Sequence, residues 1–124
     1  MQALVVGPGL GQDPRTIAAC GTILDAAASQ GIPIVVDADG LDAVTPAILQ
    51  RHGARMLLTP HEQEFRDLAG KPGLPASVGA YARSQGVTVV RKSHRTFVAG
   101  PDALVEWLVQ KTRHGVSRTS PLRL

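Results

Sequence analysis

Most of the residues in this sequence that could do chemistry share one position, because each follows directly after a short apolar run. They are the glycines of Gly7-Pro8-Gly9-Leu10-Gly11, the carboxylates Asp37 and Asp39, the pair His61 and Glu64, and the cation Lys92. Short apolar runs bounded by glycine and aspartate are typical of buried strands. In an open α/β sheet, ligands bind outside the carboxyl ends of the strands. We therefore expect these groups to meet at one rim of a sheet.

The glycine segment has two interpretations. Its spacing is G-x-G-x-G, which differs from the G-x-G-x-x-G of dinucleotide-binding folds. Glycines at the end of a strand let a ligand approach the backbone closely, and they serve equally well in a tight strand-to-helix turn that binds nothing. The local sequence leaves both open.

The charged groups have alternatives of the same kind. Asp37 and Asp39 are placed to accept ribose hydroxyls or to hold a metal on a phosphate, yet aspartate also caps turns through its own hydrogen bonds. His61 has the plainer interpretation of a solvated residue in the first turn of a helix. Lys92 and the donor-rich segment Ser93-His94-Arg95-Thr96 suit a phosphate, or form a solvated hairpin edge.

Helical signals separate the apolar runs. Asp13 is a predicted N-cap before Pro14, and helices are also predicted around residues 46–51 and over 75–85. Thr59, Pro60 and Glu62 have the spacing of a capping box, which predicts a helix that begins at Pro60. Strand, helix and strand in succession imply right-handed parallel crossovers. Residues 96–98 and 104–107 predict a hairpin.

Composition narrows the class of protein. A chain of 124 residues with 44% hydrophobic residues and 3% aromatic residues fits one small domain with an aliphatic core. A lone cysteine, Cys20, predicts an inert thiol in a reducing compartment, and no segment resembles a signal or a membrane span, so we expect a cytoplasmic protein without a membrane partner.

The positive charge of the chain is concentrated near its C-terminus. Residues 111–124 carry four cationic residues and no acid, which leaves the rest of the chain with a net charge of −1. Without aromatic platforms or a recognition helix, this charge does not predict nucleic-acid binding.

Four motifs in order resemble the ADP- or ATP-dependent NAD(P)H-hydrate dehydratases. The matching segments are Val5-Val6-Gly7-Pro8-Gly9-Leu10-Gly11, Val35-Val36-Asp37-Ala38-Asp39-Gly40-Leu41, Leu58-Thr59-Pro60-His61 through Glu64, and Val90-Arg91-Lys92 through Thr96. The resemblance covers the chain from Met1 to about Val109. It implies a ribokinase-like, Rossmann-like α/β fold with a mostly parallel sheet, flanking helices and a C-terminal hairpin.

The resemblance also implies ligands. The substrate is hydrated NADH or NADPH, and ADP or ATP phosphorylates the added hydroxyl before phosphate loss restores the ring, with Mg²⁺ expected on the donor. The substrate side comprises Gly9, Gly11, Asp37, Asp39, His61 and Glu64. The nucleotide side comprises Lys92, Ser93, His94, Arg95 and Thr96. A homo-oligomer is compatible with the family.

The sequence departs from the family pattern in two ways. Ser93 and Gln63 stand where the family commonly has glycine, and Arg91 replaces an apolar residue. The Gly-Thr-Gly-Asp motif, which supplies an anion hole and the catalytic aspartate, is missing after Trp107. We therefore expect an incomplete domain over residues 1–109, a basic disordered tail over 110–124, and no catalytic residue. A truncated or frameshifted gene product accounts for this pattern.

Two other functions remain open at the level of sequence. A fragment of another ribokinase-like small-molecule kinase would share the fold and the donor site, although Thr59-Pro60-His61 together with the glycine segment favours the dehydratase. A remnant that binds adenine nucleotides without turnover is the non-catalytic alternative.

Overall fold

A single seven-stranded sheet organises the chain in the computed structural model, which describes residues 2–111 and 117–123. The strands are β1 (Leu4–Val6), β2 (Ile34–Val36), β3 (Met56–Leu58), β4 (Thr88–Arg91), β5 (Arg95–Ala99), β6 (Leu104–Lys111) and β7 (Ser117–Arg123). They lie in the sheet in the order of the sequence. β1 to β4 are parallel and β4 to β7 are antiparallel, so the predicted α/β class and the predicted hairpin are confirmed.

Four helices connect the parallel strands. They are α1 (Pro14–Ser29), α2 (Pro46–His52), α3 (Glu62–Ala69) and α4 (Pro75–Gln85), with 3-10 helices at Ala38–Ala43 and Gly53–Arg55. Asp13 caps α1 by accepting a hydrogen bond from the Arg15 N–H group, as the sequence predicts. None of the helices in the described part of the chain is both long and apolar enough to cross a membrane.

The core lies on one face of the sheet. Right-handed crossovers between successive neighbouring strands place their helices on the same side. Accordingly Ile34, Val36 and Leu58 are at most 1% exposed, whereas Val5, which points the other way, is 65% exposed. The only cysteine, Cys20, belongs to this core, and burial raises the pKa of its thiol, as expected for an inert group.

The start of α3 corrects one prediction. Thr59 was expected to cap a helix beginning at Pro60, but α3 begins at Glu62 and His61 is its N-cap. The backbone up to His61 is still held by the sheet, because the Thr59 N–H group donates to the Val36 carbonyl and the Lys92 N–H group donates to the Pro60 carbonyl. Helical geometry can therefore begin only after His61.

The C-terminal part differs from the expected disordered tail. β6 extends to Lys111, and β7 pairs with it in antiparallel register from Val105↔Arg123 to Lys111↔Ser117. Without β7, β6 would be an edge strand with a row of unpaired backbone groups, and this pairing satisfies them.

Candidate functional site

The glycine segment after β1 divides into one packed glycine and two open ones. Gly7 is buried with φ +142°, and a Cβ atom on it would overlap the Asp37 carbonyl group. Gly9 and Gly11 have φ +81° and +76°, and a Cβ atom on either would meet nothing within 4 Å. Gly7 therefore anchors the loop as a tight turn, while Gly9 and Gly11 leave the backbone open to a ligand. Each of the two interpretations of the sequence thus applies to a different part of the segment.

Asp39 connects this loop to the end of β2. One of its carboxylate oxygens accepts a hydrogen bond from the Gly11 N–H group at 3.0 Å. Ala38, between the two aspartates, has φ +48°, which is rare for a residue with a side chain. Such strained backbone is common at functional sites. The sequence gives no signal for it, because alanine is not a residue that marks left-handed backbone.

Asp37 and Lys92 form an ion pair across the rim. The Lys92 ammonium donates to Asp37 Oδ1 at 2.9 Å, although the two residues are 55 positions apart. The same oxygen accepts from the Ala38 N–H group at 2.9 Å. Partial burial raises the pKa of Asp37, but hydrogen bonds from Lys92, Thr59 and Ala38 and the charge of Lys92 outweigh it and leave the pKa below its ordinary value.

His61 and Glu64 form a reciprocal capping box at the start of α3. His61 Nδ1 accepts from the Glu64 N–H group at 3.3 Å, and Glu64 Oε1 accepts from the His61 N–H group at 3.0 Å. The His61 side chain remains 56% exposed. Since Nδ1 is an acceptor, a neutral His61 ring carries its proton on Nε2, which lies 3.6 Å from Glu64 Oε1.

The segment from Lys92 to Thr96 comprises the turn between β4 and β5 and the first two residues of β5. Ser93 and Thr96 bond to each other and to the turn backbone, with Thr96 Oγ1 donating to the Ser93 carbonyl at 2.7 Å and Ser93 Oγ donating to the Arg95 carbonyl at 2.8 Å. Lys92, Ser93, His94 and Arg95 are exposed. The hydroxyls thus shape the turn, while the Lys92 ammonium faces the rim.

Hydrogen bonds, one strand bridge and one shared pocket place these groups along one rim. Asp39 and Glu64 line a pocket of about 210 Å³ together with Gln12, Asp42 and Asp67. His61 forms a parallel bridge with Lys92, which continues the pairing of β3 with β4. The order around the rim is therefore Gly11, Asp39, Glu64, His61, Lys92 and Asp37. The strand ends therefore converge at one rim of the sheet, as the sequence predicts.

Arg91, next to Lys92, occupies a partly buried position that the sequence analysis did not interpret. Its guanidinium carbon lies 4.7 Å from the centre of the Phe97 ring, and its Nη1 lies 3.7 Å from Glu62 Oε2. Arg91 Nε is buried without a hydrogen-bond partner. The signal available in the sequence was the replacement of an apolar residue before Lys92.

Comparison with known proteins identifies the family. A family model described as NAD(P)H-hydrate dehydratase matches residues 1–115. The chain belongs to the NAD(P)H-hydrate dehydratase family. It is 42% identical to the bifunctional NAD(P)H-hydrate repair enzyme Nnr of Mycobacterium tuberculosis, over 82% of this chain and 22% of that protein. It is 35% identical to the ATP-dependent (S)-NAD(P)H-hydrate dehydratase of Bos taurus, over 86% of this chain and 35% of that protein.

Solved structures of similar proteins share the fold. An ADP/ATP-dependent NAD(P)H-hydrate dehydratase from Bacillus subtilis, co-crystallised with ATP/Mg²⁺, superposes with a TM-score of 0.64 at 26% identity, over 82% of this chain and 36% of that one. A ribokinase-like protein from Enterococcus faecalis superposes with a TM-score of 0.62 at 22% identity, over 83% of this chain and 38% of that one. The ribokinase-like fold expected from the sequence is confirmed. The chain spans 22% to 36% of the length of the curated relatives it matches.

Proposed function

We propose that the rim binds hydrated NADH or NADPH next to ADP or ATP, the two ligands of an NAD(P)H-hydrate dehydratase. The observation that supports this most directly is the continuous rim from Gly11 through His61 to Lys92, with open backbone at one end and a cation at the other. Family membership supplies the reaction, in which the donor phosphorylates the added hydroxyl and phosphate then leaves.

The substrate side is the glycine loop with its neighbours. Open space at Gly9 and Gly11 suits the close approach of a flat ring or a ribose to the backbone. His61 offers an N–H donor, while Asp39 and Glu64 offer acceptors for hydroxyl or amide groups in the adjoining pocket. Asp37 completes the set predicted from the sequence, although its Oδ1 already accepts from Lys92.

The donor side is the segment from Lys92 to Thr96, at the turn between β4 and β5. The Lys92 ammonium, 46% exposed, is the charge that would stabilise a phosphate group, and the exposed His94 and Arg95 flank it. Among residues 2–111 and 117–123, no group of three His, Cys, Asp or Glu side chains is placed to hold a metal. A Mg²⁺ ion would therefore be held mainly by phosphate oxygens and water, with Asp39 as a carboxylate within the rim.

Binding and turnover are separate questions for this chain. Phosphoryl transfer requires an anion hole and a base for the hydroxyl, which the family resemblance assigns to a Gly-Thr-Gly-Asp segment. This sequence contains no such segment. We propose that the 124-residue chain binds both ligands and does not turn over the hydrate by itself.

Two variants separate the two sides of the rim. Gly9→Ala places a methyl group where the substrate would approach, and Lys92→Met removes the ammonium while keeping most of the apolar stem. Calorimetry should give a loss of about tenfold in affinity for hydrated NADPH with Gly9→Ala and for ADP with Lys92→Met, each variant leaving the other ligand nearly unaffected. Absence of heat with both ligands for the unmodified chain would refute the proposal.

Turnover is measured by recovery of NADPH absorbance from hydrated NADPH after ATP or ADP and Mg²⁺ are added. A full-length relative is the positive control. Recovery with the 124-residue chain would show that the missing segment is not essential. Phosphate transfer to a pyrimidine or thiazole alcohol instead would favour a small-molecule kinase.

We also propose that the chain is cytoplasmic and self-associates. β1 is one edge strand of the sheet, and the side chains of Val5 and Ile23, which line the same surface pocket, are 65% and 53% exposed. An apolar edge strand without charged residues is a ready site for pairing between chains. Light scattering should detect oligomers, and Val5→Lys should shift them towards monomer, whereas Thr22→Lys on the outer face of α1 should not.

A further inference from the structure

The Asp37 carboxylate is held in place independently of Lys92. Asp37 Oδ1 accepts the Ala38 N–H group at 2.9 Å. The backbone of Asp37 is fixed as well, because its N–H group donates to the Val6 carbonyl at 2.9 Å. Departure of the lysine would therefore leave the carboxylate in position, with the Ala38 N–H group still donating to it.

The Lys92 ammonium is the mobile partner of the pair. Its side chain is 46% exposed, against 27% for Asp37, and it reaches the carboxylate through a flexible four-carbon stem. A partly exposed ion pair of one carboxylate and one ammonium contributes little to stability. A phosphate group carries more charge and offers several acceptor oxygens, so it competes well for the same ammonium.

We propose that Lys92 is a shared cation, which Asp37 holds while the rim is free of anions and which transfers to a phosphate group when the donor binds. Asp37 is then a positioning residue that lowers the affinity of the rim for phosphate, because every binding event must break its bond to Lys92. The carboxylate left behind also repels the incoming anion. This inference rests on the proposed donor site at Lys92, and it gives Asp37 a role other than contact with the substrate.

Inorganic pyrophosphate is the probe, because it tests whether Lys92 binds a phosphate group in the absence of the adenine nucleoside and of hydrated NADPH. Asp37→Asn keeps an oxygen able to accept from Ala38 and Lys92 but removes the charge. It should tighten pyrophosphate binding about fivefold, the size expected of one partly exposed ion pair. Asp25→Asn is the matched control, because it removes the same charge from a partly exposed carboxylate that is paired with Arg51 outside the rim, and it should change the affinity less than about twofold. Lys92→Met should reduce the difference between the Asp37 forms to the part that comes from repulsion between the Asp37 carboxylate and the anion.

A measurement on the unmodified chain accompanies these variants. Carbon-13 labelling of the aspartate carboxyl groups should show a larger change at Asp37 than at Asp39 when pyrophosphate is added, since only Asp37 loses an ammonium. Equal or weaker pyrophosphate binding by Asp37→Asn, or an unperturbed Asp37 signal at saturation, would overturn the shared-cation inference. So would the absence of pyrophosphate binding to the unmodified chain. Pyrophosphate binding without ADP or NADPH-hydrate binding would instead count against the proposed function alone.

Discussion

The carbonyl group of Asp37 occupies the space that a Cβ atom on Gly7 would need. Gly40 is packed in the same way, with a Cβ position 2.8 Å from the Val6 carbonyl oxygen. The end of β1 and the 3-10 helix after β2 therefore touch backbone to backbone. This contact fixes the distance between the glycine loop and the two aspartates.

Gly7→Ala should destabilise the fold by about 3 kcal/mol, because it combines a steric clash with a positive φ. Gly9→Ala shares the positive φ but meets no atom, so it should cost only about 1 kcal/mol. Urea unfolding followed by circular dichroism measures both. Similar costs for the two variants would show that the close contact at Gly7 is not what requires glycine.

His61 is predicted to stabilise α3 independently of any ligand. His61→Ala removes the acceptor for the Glu64 N–H group and should lower the free energy of unfolding by about 1 kcal/mol. His61→Asn supplies another side-chain acceptor and should retain most of that stability. If His61 also contacts the substrate, the asparagine variant should lose affinity for hydrated NADPH while its urea midpoint stays near that of the unmodified chain. Equal stability of the unmodified chain and the two variants would show that the His61 side chain does not stabilise α3 as an N-cap.

The sequence was sufficient for the parts of this molecule that depend on local signals. Apolar runs punctuated by glycine or aspartate marked β1 to β4, and the Asp13-Pro14 pair marked the start of α1, because these signals lie within a few residues of the element they define. Convergence of the strand ends then followed from the general rule for parallel sheets.

The errors and omissions come from contacts between distant segments. The Thr59 cap was wrong because pairing of Pro60 with Lys92 keeps the chain extended to His61, and that pairing joins β3 to β4. The ion pair of Asp37 with Lys92 likewise depends on how far each strand extends at the rim. Residue types and spacing along the chain do not determine such alignments.

Arg91 should be replaceable without loss of stability. Its buried Nε lacks a hydrogen-bond partner, so the desolvation cost of the guanidinium is only partly offset by Phe97 and Glu62. Arg91→Met retains the volume and should leave the free energy of unfolding unchanged or higher by up to about 1 kcal/mol. A loss above about 2 kcal/mol would show that the ring and carboxylate contacts outweigh desolvation.

Replacing Glu62, the ion-pair partner of Arg91, should lower the stability of the fold. The Gly73 N–H group and Arg66 hold the pKa of Glu62 below its usual range, with a smaller contribution from the charge of Arg91. Glu62→Ala leaves the Gly73 N–H group and the Arg91 guanidinium without this acceptor, and should cost about 1 to 2 kcal/mol. Glu62→Gln should cost less, because its amide oxygen still accepts from Gly73. Urea unfolding at neutral pH compares the three forms.

Tyr81 provides a test of packing between α3 and α4. Its ring meets Phe65 edge to face with centroids 5.7 Å apart, and burial raises the pKa of Tyr81 from 10.0 to about 12. The chain has one tyrosine, so phenolate absorbance reports on this residue alone. Tyr81 ionises near 10.0 in the unfolded chain and near 12 in the folded chain, so its contribution to stability is fully present below pH 10 and is lost as pH rises towards 12. Phe65→Leu should shift the phenolate midpoint downwards. A midpoint near 10 in the unmodified chain, with circular dichroism unchanged, would show that the Tyr81 hydroxyl reaches solvent.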